Sequence, residues 1–227
     1  MERRVGHLSA TGLACRRGER LVFTGVDVRL GAGAALLVVG ANGSGKSSLL
    51  RLLAGLLRPF AGGIFWDGVA IAADAHAHRG RVAYLGHGDA IKPALTVAED
   101  ISFWTAIDGA GEAAAQAALA AMGLERLSEF PCRHLSAGQK RRLAIARVLA
   151  RIDAPLWILD EPTNGLDAEA RHRLDRALAA HRDGGGMLIV ASHERLDLPG
   201  AQTLELGPFA REARAAEVRG LEVDQLV

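Results

Sequence analysis

A glycine-rich turn between an apolar strand and an apolar helix constrains the fold of this 227-residue chain more than any other feature. Residues 34–39 are continuously apolar, which predicts a strand buried on both faces, and residues 46–57 carry leucines at the spacing of a buried helix. The turn between them fits the pattern G-x-x-x-x-G-K-[ST] in full, in the context that this pattern requires. The turn comprises Gly40, Ala41, Asn42, Gly43, Ser44, Gly45, Lys46 and Ser47. It predicts a phosphate-binding loop in an α/β fold.

The residue types in this loop suit a nucleoside triphosphate with its metal ion. Glycines allow the backbone N–H groups to approach phosphate oxygens closely, and the helix N-terminus adds positive potential. Lys46 is one of only three lysines among 27 basic residues, and its compact ammonium can reach the terminal phosphates. Ser47 is the predicted Mg²⁺ ligand, and Ser48 is a further predicted contact to the nucleotide. A chance match in a glycine-rich turn is the alternative interpretation.

Composition excludes several other classes of protein. Hydrophobic residues make up 49% of the chain, which rules out wholesale disorder. The 27 basic and 26 acidic residues nearly cancel, and only 4% of residues are aromatic, so nucleic acid is not the expected partner. Cys15 and Cys132 are too far apart in sequence to indicate a cysteine zinc site. No stretch approaches the length of a membrane span, so we expect a cytosolic chain that depends on other chains to cross a membrane.

The order of the predicted elements indicates an α/β core with an inserted helical lobe. Residues 8–30 alternate as edge strands do, whereas residues 87–151 contain helices and no confident strand. Strands return at 156–160 and 187–191, separated by an arginine-rich helix at 168–182. We therefore predict a single domain over residues 1–227 with a helical insertion at about 87–151.

An acidic pair ends the strand that begins at Leu156. At the carboxyl end of a parallel strand beside a phosphate loop, Asp160 can organise the Mg²⁺ shell. Glu161 would then polarise a water molecule for attack on the γ-phosphate. Taken alone, such a pair is more commonly a solvated strand end.

The sequence Leu135-Ser136-Ala137-Gly138-Gln139 precedes a basic helix. Ser136 as N-cap and Gln139 three residues later form the pattern of a capping box. A capped helix end is also an anion site, so the structural interpretation does not exclude a functional one.

Together, these motifs resemble the nucleotide-binding subunit of an ABC transporter over roughly residues 7–207. The resemblance implies a P-loop NTPase core of the ABC type with an N-terminal antiparallel β-subdomain and an inserted α-helical subdomain. It also implies a homodimer in which two ATP molecules lie between subunits, with Ser136, Gly138 and Gln139 acting on the partner's nucleotide. The corresponding motifs are Walker A at 40–47, the signature at 135–139, Walker B at 156–161, the D-loop at 164–167 and the switch histidine His193.

Three positions depart from the family pattern. Ala137 stands where the signature normally has a second glycine. His87 occupies the position that we assign to the Q-loop glutamine, so it is the predicted contact to Mg²⁺ and water there. The aromatic residue that normally stacks on adenine is absent near residues 16–18, and Arg17 is our candidate for that contact.

Further short strings resemble the ATPase subunit of the cytochrome c maturation system, the haem exporter. They are Tyr84–His87, Ile91–Lys92, Leu95–Thr96 and residues 155–162. The resemblance implies membrane-spanning partner subunits, peripheral association with the cytoplasmic face of the inner membrane, and release of a haem-loaded chaperone. The alternatives are the ATPase of another ABC transporter, a soluble ABC protein of translation or DNA repair, and a regulatory partner without turnover. The single cassette and near-zero net charge disfavour the soluble protein.

Several remaining residues have a structural and a functional interpretation. We expect His76 and His78 to lie in a polar surface loop rather than to bind metal. Arg141, Arg142 and Arg147 are expected on a solvated or interface face of the signature helix. Phe103 and Trp104 are candidates for contact with a membrane subunit, and core packing is the equal alternative.

Overall fold

The computed structural model describes residues 6–193 and 198–218, and in these ranges the chain forms two β-sheets and seven α-helices. The strands are β1 Leu8–Arg17, β2 Arg20–Leu30, β3 Ala35–Val39, β4 Ala61–Trp66, β5 Val69–Ala70, β6 Val82–Leu85, β7 Leu156–Asp160, β8 Met187–Ala191 and β9 Gln202–Glu205. The helices are α1 Lys46–Leu53, α2 Ala75–Gly80, α3 Val97–Asp108, α4 Gly111–Ala121, α5 Ala137–Ala150, α6 Ala168–Asp183 and α7 Leu206–Val218.

A five-stranded parallel sheet brings together the residues that the sequence keeps apart. Its order is β6-β7-β8-β3-β9, and each adjacent pair is parallel. The carboxyl ends of these strands therefore lie along one edge of the sheet. The loop at 40–47 leaves β3 at this edge, Asp160 ends β7, and His87 and His193 follow β6 and β8 closely. The topology alone places four separate sequence regions around one site.

The second sheet is antiparallel, in the order β2-β1-β4-β5, and packs with α1 against one face of the parallel sheet. Apolar side chains from both sheets and the helix form one core, in which the alternating residues of β1 and β2 point inward. Its members include Phe23, Val26, Leu49, Leu50, Leu53, Ile158 and Ile189. The base of the phosphate loop is thus fixed between two layers.

Helices α3, α4 and α5 pack together and share a core with the other face of the parallel sheet. A capping box begins α3, because Thr96 N–H donates to Glu99 Oε2 at 2.8 Å and Glu99 N–H donates to Thr96 Oγ1 at 3.2 Å. The predicted fold class, with its antiparallel and helical subdomains, is confirmed. The single-domain extent stays a prediction, because residues 1–5, 194–197 and 219–227 lie outside the described residues. No helix among the described residues is long and apolar enough to cross a bilayer.

The structure corrects one prediction about secondary structure and contains two strands that were not predicted. Helix α1 ends at Leu53 rather than Leu57, because the chain turns at Gly55, whose φ of +69° lies in the left-handed region. Strand β6 was not predicted, since its four residues are too few for a clear periodicity. Strand β9 was also missed, because it is a mostly exposed edge strand with little apolar signal.

His76 and His78 both lie in α2 rather than in a loop, and His76 is exposed as expected. The expectation of a surface position is wrong for His78, which is buried. Its Nε2 donates to the carbonyl of Leu53 at 2.8 Å, and its Nδ1 has no hydrogen-bond partner among the described residues. Burial lowers the pKa of His78 from its ordinary value of 6.5, since protonation would place a second N–H in a buried position without an acceptor.

The burial of His78 predicts a stability loss at mildly acid pH. Its folded-state pKa is depressed, so stability is fully present above the unfolded value of 6.5 and falls as pH drops below it. His78→Gln removes this titration but retains a donor. We therefore expect the free energy of unfolding in urea to fall less for His78→Gln than for wild type between about pH 7.5 and about pH 5.5. The exposed control His76→Gln should follow wild type, and equal slopes for all three proteins would contradict the assignment.

Candidate nucleotide site

The loop at 40–47 has a backbone that only glycine accommodates at its tightest point. Gly45 has a φ of +104° and is the N-cap of α1. A Cβ atom there would lie 2.6 Å from Val22 Cγ1 and 2.9 Å from Phe23 Cδ1. Within the loop, Ser44 N–H donates to Ala41 O at 3.1 Å, which closes a tight turn. No side chain of the described residues caps α1, so its first N–H groups can bind an anion.

Lys46 is held inside the site rather than extended into solvent. Only 7% of the residue is exposed, and Nζ donates to the Gly40 carbonyl at 2.8 Å. Nζ also lies 3.7 Å from Glu161 Oε1. The ammonium of the loop therefore faces the acidic end of β7 directly.

Glu161 joins the loop to the histidine that follows β8. Its Oε2 lies 2.7 Å from His193 Nδ1 and accepts the His193 backbone N–H at 3.2 Å. The backbone of Glu161 has a φ of +50°, in the left-handed region, which is costly for a residue with a side chain and is typical of functional sites. The charge arrangement runs from the Lys46 ammonium through the Glu161 carboxylate to the His193 ring.

Asp160 precedes Glu161 and is buried. Both of its carboxylate oxygens lack a hydrogen-bond partner among the described residues. Buried carboxylate oxygens require a compensating partner, and a divalent cation is one that suits oxygen donors. The donor chemistry at this position therefore fits Mg²⁺.

A cavity of about 520 Å³ contains most of the residues that the sequence singled out. Val22 also contributes, and no sequence signal distinguished it from other strand residues. The lining residues are Val22, Asn42, Gly43, Gly45, Lys46, Ser47, Ser48, His87, Asp160, Glu161, Asn164 and His193. Gly40, Ala41 and Ser44 complete the loop behind this lining.

The signature segment lies at the start of α5, outside this lining. The predicted capping box is confirmed: Ser136 N–H donates to Gln139 Oε1 at 2.8 Å, and Gln139 N–H donates to Ser136 Oγ at 3.2 Å. Ser136 and Ala137 are both exposed. Gly138 is packed closely, because an added Cβ would lie 2.8 Å from the Gly165 carbonyl oxygen.

Comparison with known proteins identifies the family. The sequence profile of the family described as "ABC transporter" matches residues 23–164. The chain belongs to the ABC transporter family. Among curated relatives, the cytochrome c biogenesis ATP-binding export protein CcmA of Rhodospirillum rubrum is 53% identical over 205 residues, covering 90% of this chain and 88% of that protein. The CcmA protein of Paramagnetospirillum magneticum is 51% identical over 207 residues, covering 89% and 94%. The chain is therefore an ABC ATPase of the CcmA group.

Solved ABC structures share the fold at low sequence identity. A putative ABC transporter ATP-binding protein from Pyrococcus furiosus has a TM-score of 0.78 at 21% identity, covering 89% of this chain and 98% of its own. The dimeric bacterial ABC transporter cassette MJ0796 has a TM-score of 0.77 at 23% identity, covering 88% and 95%. These likenesses independently support the fold class.

Within this ABC ATPase, Arg17 is a further predicted site residue that the cavity lining does not include. It is exposed at the end of β1 and does not contribute to the lining, and its contact with adenine stays a prediction. The neighbouring Arg16 stacks on Phe60, with the guanidinium carbon 4.1 Å from the ring centroid.

The signature helix corrects the expectation of a solvated or interface face for its arginines. Arg141 is buried, and Arg147 forms an ion pair with the fully buried Asp100. Arg142 Nη1 lies 3.3 Å from the Met122 carbonyl oxygen, at the end of α4. Through these contacts, the three arginines hold α5 against other segments of the same chain. Their partners are distant in sequence, so local patterning could not have found them.

Gly138→Ala should destabilise the ABC ATPase, because its methyl group would meet a backbone oxygen that cannot rotate away. We expect a loss of about 1–3 kcal/mol in the free energy of unfolding, as for other overpacked sites. Urea denaturation measures this loss. The adjacent exposed position supplies the control, and Ala137→Ser should stay within about 0.5 kcal/mol of wild type. Equal stability of the two variants would contradict the close packing at Gly138.

Proposed function

We propose that this chain is the ATP-hydrolysing subunit of the haem exporter of cytochrome c biogenesis, whose ATP turnover drives release of a haem-loaded chaperone. The observation that carries the proposal is the 53% identity to the R. rubrum export protein across 90% of the chain. The Lys46, Glu161 and His193 cluster supports turnover rather than regulatory binding alone. The ATPase subunit of another ABC transporter remains the alternative.

The cluster supports a division of roles among its residues. The phosphate loop binds the triphosphate, and Lys46 supplies positive charge to its terminal oxygens. Glu161 is the general base, taking a proton from the water that attacks the γ-phosphate. His193 holds the Glu161 carboxylate in place through the 2.7 Å contact and contributes a polar group at the γ-phosphate.

We propose Asp160, Ser47 and His87 as the residues that hold Mg²⁺ with the nucleotide. All three line the same cavity, and the unpaired oxygens of Asp160 support this role. When bound, the ion neutralises charge that develops on the phosphate oxygens.

A head-to-tail homodimer accounts for the position of the signature. Ser136 begins α5 with an exposed helix N-terminus and lies outside its own chain's nucleotide cavity. Such an end binds anions, so Ser136, Gly138 and Gln139 are proposed to contact the phosphates bound by the partner subunit.

An apolar groove beside the helical lobe supports docking of a membrane-spanning subunit. This groove, here called the lobe groove, has a volume of about 490 Å³ between β6, α3 and α5. Trp104 lines it, and Ile107 on its wall is 63% exposed. Phe103 packs beside Trp104, and Lys92 Nζ lies 3.6 Å from the centroid of the Phe103 ring. Docking here would place the chain peripherally on the cytoplasmic face of the inner membrane.

The proposed partner is tested by co-purification of the tagged full-length chain from membranes. Wild type should retain integral membrane subunits, and Ile107→Glu should lose them because it places a charge in the lobe groove. Val69→Glu is the matched control, since Val69 is also 63% exposed but lies on the antiparallel sheet. Retention of the subunits by Ile107→Glu would contradict docking in the groove.

The biological role is tested in cells. Chromosomal Glu161→Gln should abolish covalent haem attachment to c-type cytochromes, measured by haem staining, while b-type cytochromes remain. Normal c-type cytochromes in that strain, with the variant expressed at wild-type level, would contradict the proposed role and favour another transporter.

A further inference from the structure

Arg141 in helix α5 contacts both the end of β7, at Asp160 and Glu161, and the loop that follows β6. Only 5% of the residue is exposed. Nη2 donates to the backbone carbonyls of Asp160 at 2.7 Å and Glu161 at 2.6 Å. Nη1 donates to Gly86 O at 3.1 Å and to Asp89 Oδ1 at 3.0 Å. The guanidinium therefore joins α5 to the end of β7 and to the loop after β6.

The contacts to β7 bear directly on the conformation of Glu161. Successive residues of an extended strand direct their carbonyls to opposite sides, so two consecutive carbonyls do not normally share one donor. They do so here, where Glu161 leaves the strand with a φ of +50°. A charged donor to both carbonyls stabilises this costly turn. The turn also places the Glu161 side chain beside Lys46 and His193.

The other contacts of Arg141 reach the lobe groove. Gly86 and Asp89 both line that groove, whereas His87, between them, lines the nucleotide cavity. The ion pair with Asp89 is half-shielded, since the Asp89 side chain is 28% exposed. If this loop moved on the groove side, it would therefore move the Arg141 guanidinium, which is hydrogen-bonded to the backbone carbonyls of Asp160 and Glu161.

We propose that Arg141 is a positioning residue that fixes the Glu161 carboxylate for catalysis and links it to the 86–89 loop of the lobe groove. This inference rests on the proposed function of Glu161 as the general base. Arg141 does not itself line the nucleotide cavity, and it acts through the backbone carbonyls of two residues that do, Asp160 and Glu161.

Steady-state ATP hydrolysis by full-length variants tests the proposal. Arg141→Met retains side-chain length without the donors, and Arg141→Lys retains one charged donor group. We expect Arg141→Met to lower kcat by about 10- to 100-fold, as small misplacements of catalytic groups do, with KM for ATP changed by no more than about twofold. Arg141→Lys should restore part of kcat. Arg142→Met is the matched control on the same helix, and it should retain wild-type kcat because its contacts are to the end of α4.

A double-mutant cycle separates positioning from a purely structural role. If Arg141 acts through Glu161, then Arg141→Met should lower the residual rate of Glu161→Gln by less than about twofold. Full additivity, or a wild-type kcat in Arg141→Met, would overturn the proposal. If Arg141→Met does not fold, a wild-type kcat in folded Arg141→Lys overturns it equally. Wild-type hydrolysis by Glu161→Gln would instead overturn the base assignment, and hence the proposed function.

Discussion

Glu161→Gln is expected to retain ATP affinity while lowering the rate of hydrolysis by about 10²- to 10⁴-fold, the range typical for loss of a general base. Glutamine has nearly the same shape as glutamate but cannot accept a proton from water at this position. The amide can still contact His193, which lies 2.7 Å from Oε2, so the site should keep its geometry. The Glu161→Gln variant would thereby separate ATP binding from ATP hydrolysis.

The same variant should accumulate as an ATP-bound dimer. Hydrolysis is the step that reopens the proposed head-to-tail dimer, so a slow variant stays closed once ATP is bound. Size-exclusion chromatography with light scattering, with and without ATP and Mg²⁺, measures this. Glu125→Gln supplies the control, because Glu125 is an exposed residue in the helical lobe, and it should hydrolyse ATP as wild type does. Hydrolysis by Glu161→Gln at the wild-type rate would show that another group is the base.

The parts of the site that could be predicted from sequence depend on local geometry. The phosphate loop and the capping box at Ser136 are each built within a few consecutive residues, so their spacing already contains their structure. Strand β7 was predicted with its observed bounds, because five buried residues in a row produce a clear apolar signal. Convergence of the loop, Glu161 and His193 followed from the parallel sheet together with the family resemblance.

The parts that could not be predicted depend on contacts distant in sequence. Arg141 looks like any arginine of a basic helix, yet its partners are 19 to 55 residues away and include three backbone carbonyls. Since every residue has a backbone carbonyl, residue types do not reveal which carbonyl accepts a hydrogen bond. The burial of His78 likewise depends on a distant backbone contact, because its Nε2 donates to the carbonyl of Leu53 at the end of α1. Strand β9 pairs with β3 through its backbone while its side chains are mostly exposed, so it lacks an apolar pattern.

Lys46→Ala is expected to weaken ATP binding by about 100-fold or more, which corresponds to roughly 2.7 kcal/mol. The reason is twofold. The variant loses the ammonium that would face the terminal phosphates, and it leaves Glu161, formerly 3.7 Å from Nζ, without that counter-charge beside a polyanion. Titration calorimetry of the full-length chain measures the dissociation constant. Lys92→Ala is the control, since Lys92 packs on Phe103 outside the cavity, and unchanged affinity in Lys46→Ala would contradict the phosphate role.

The two electrostatic contributions can be separated in one double variant. Adding Glu161→Gln to Lys46→Ala removes the uncompensated carboxylate, so the double variant should bind ATP more tightly than Lys46→Ala but more weakly than wild type. The partial recovery measures repulsion by Glu161, and the remaining deficit measures the attraction that Lys46 supplied. If the double variant binds no better than Lys46→Ala, then the 3.7 Å ion pair has no part in nucleotide affinity and the loop lysine acts on phosphate alone. Hydrolysis should stay low in both variants, because both lack the Lys46 ammonium at the terminal phosphates and the double variant also lacks the proposed base.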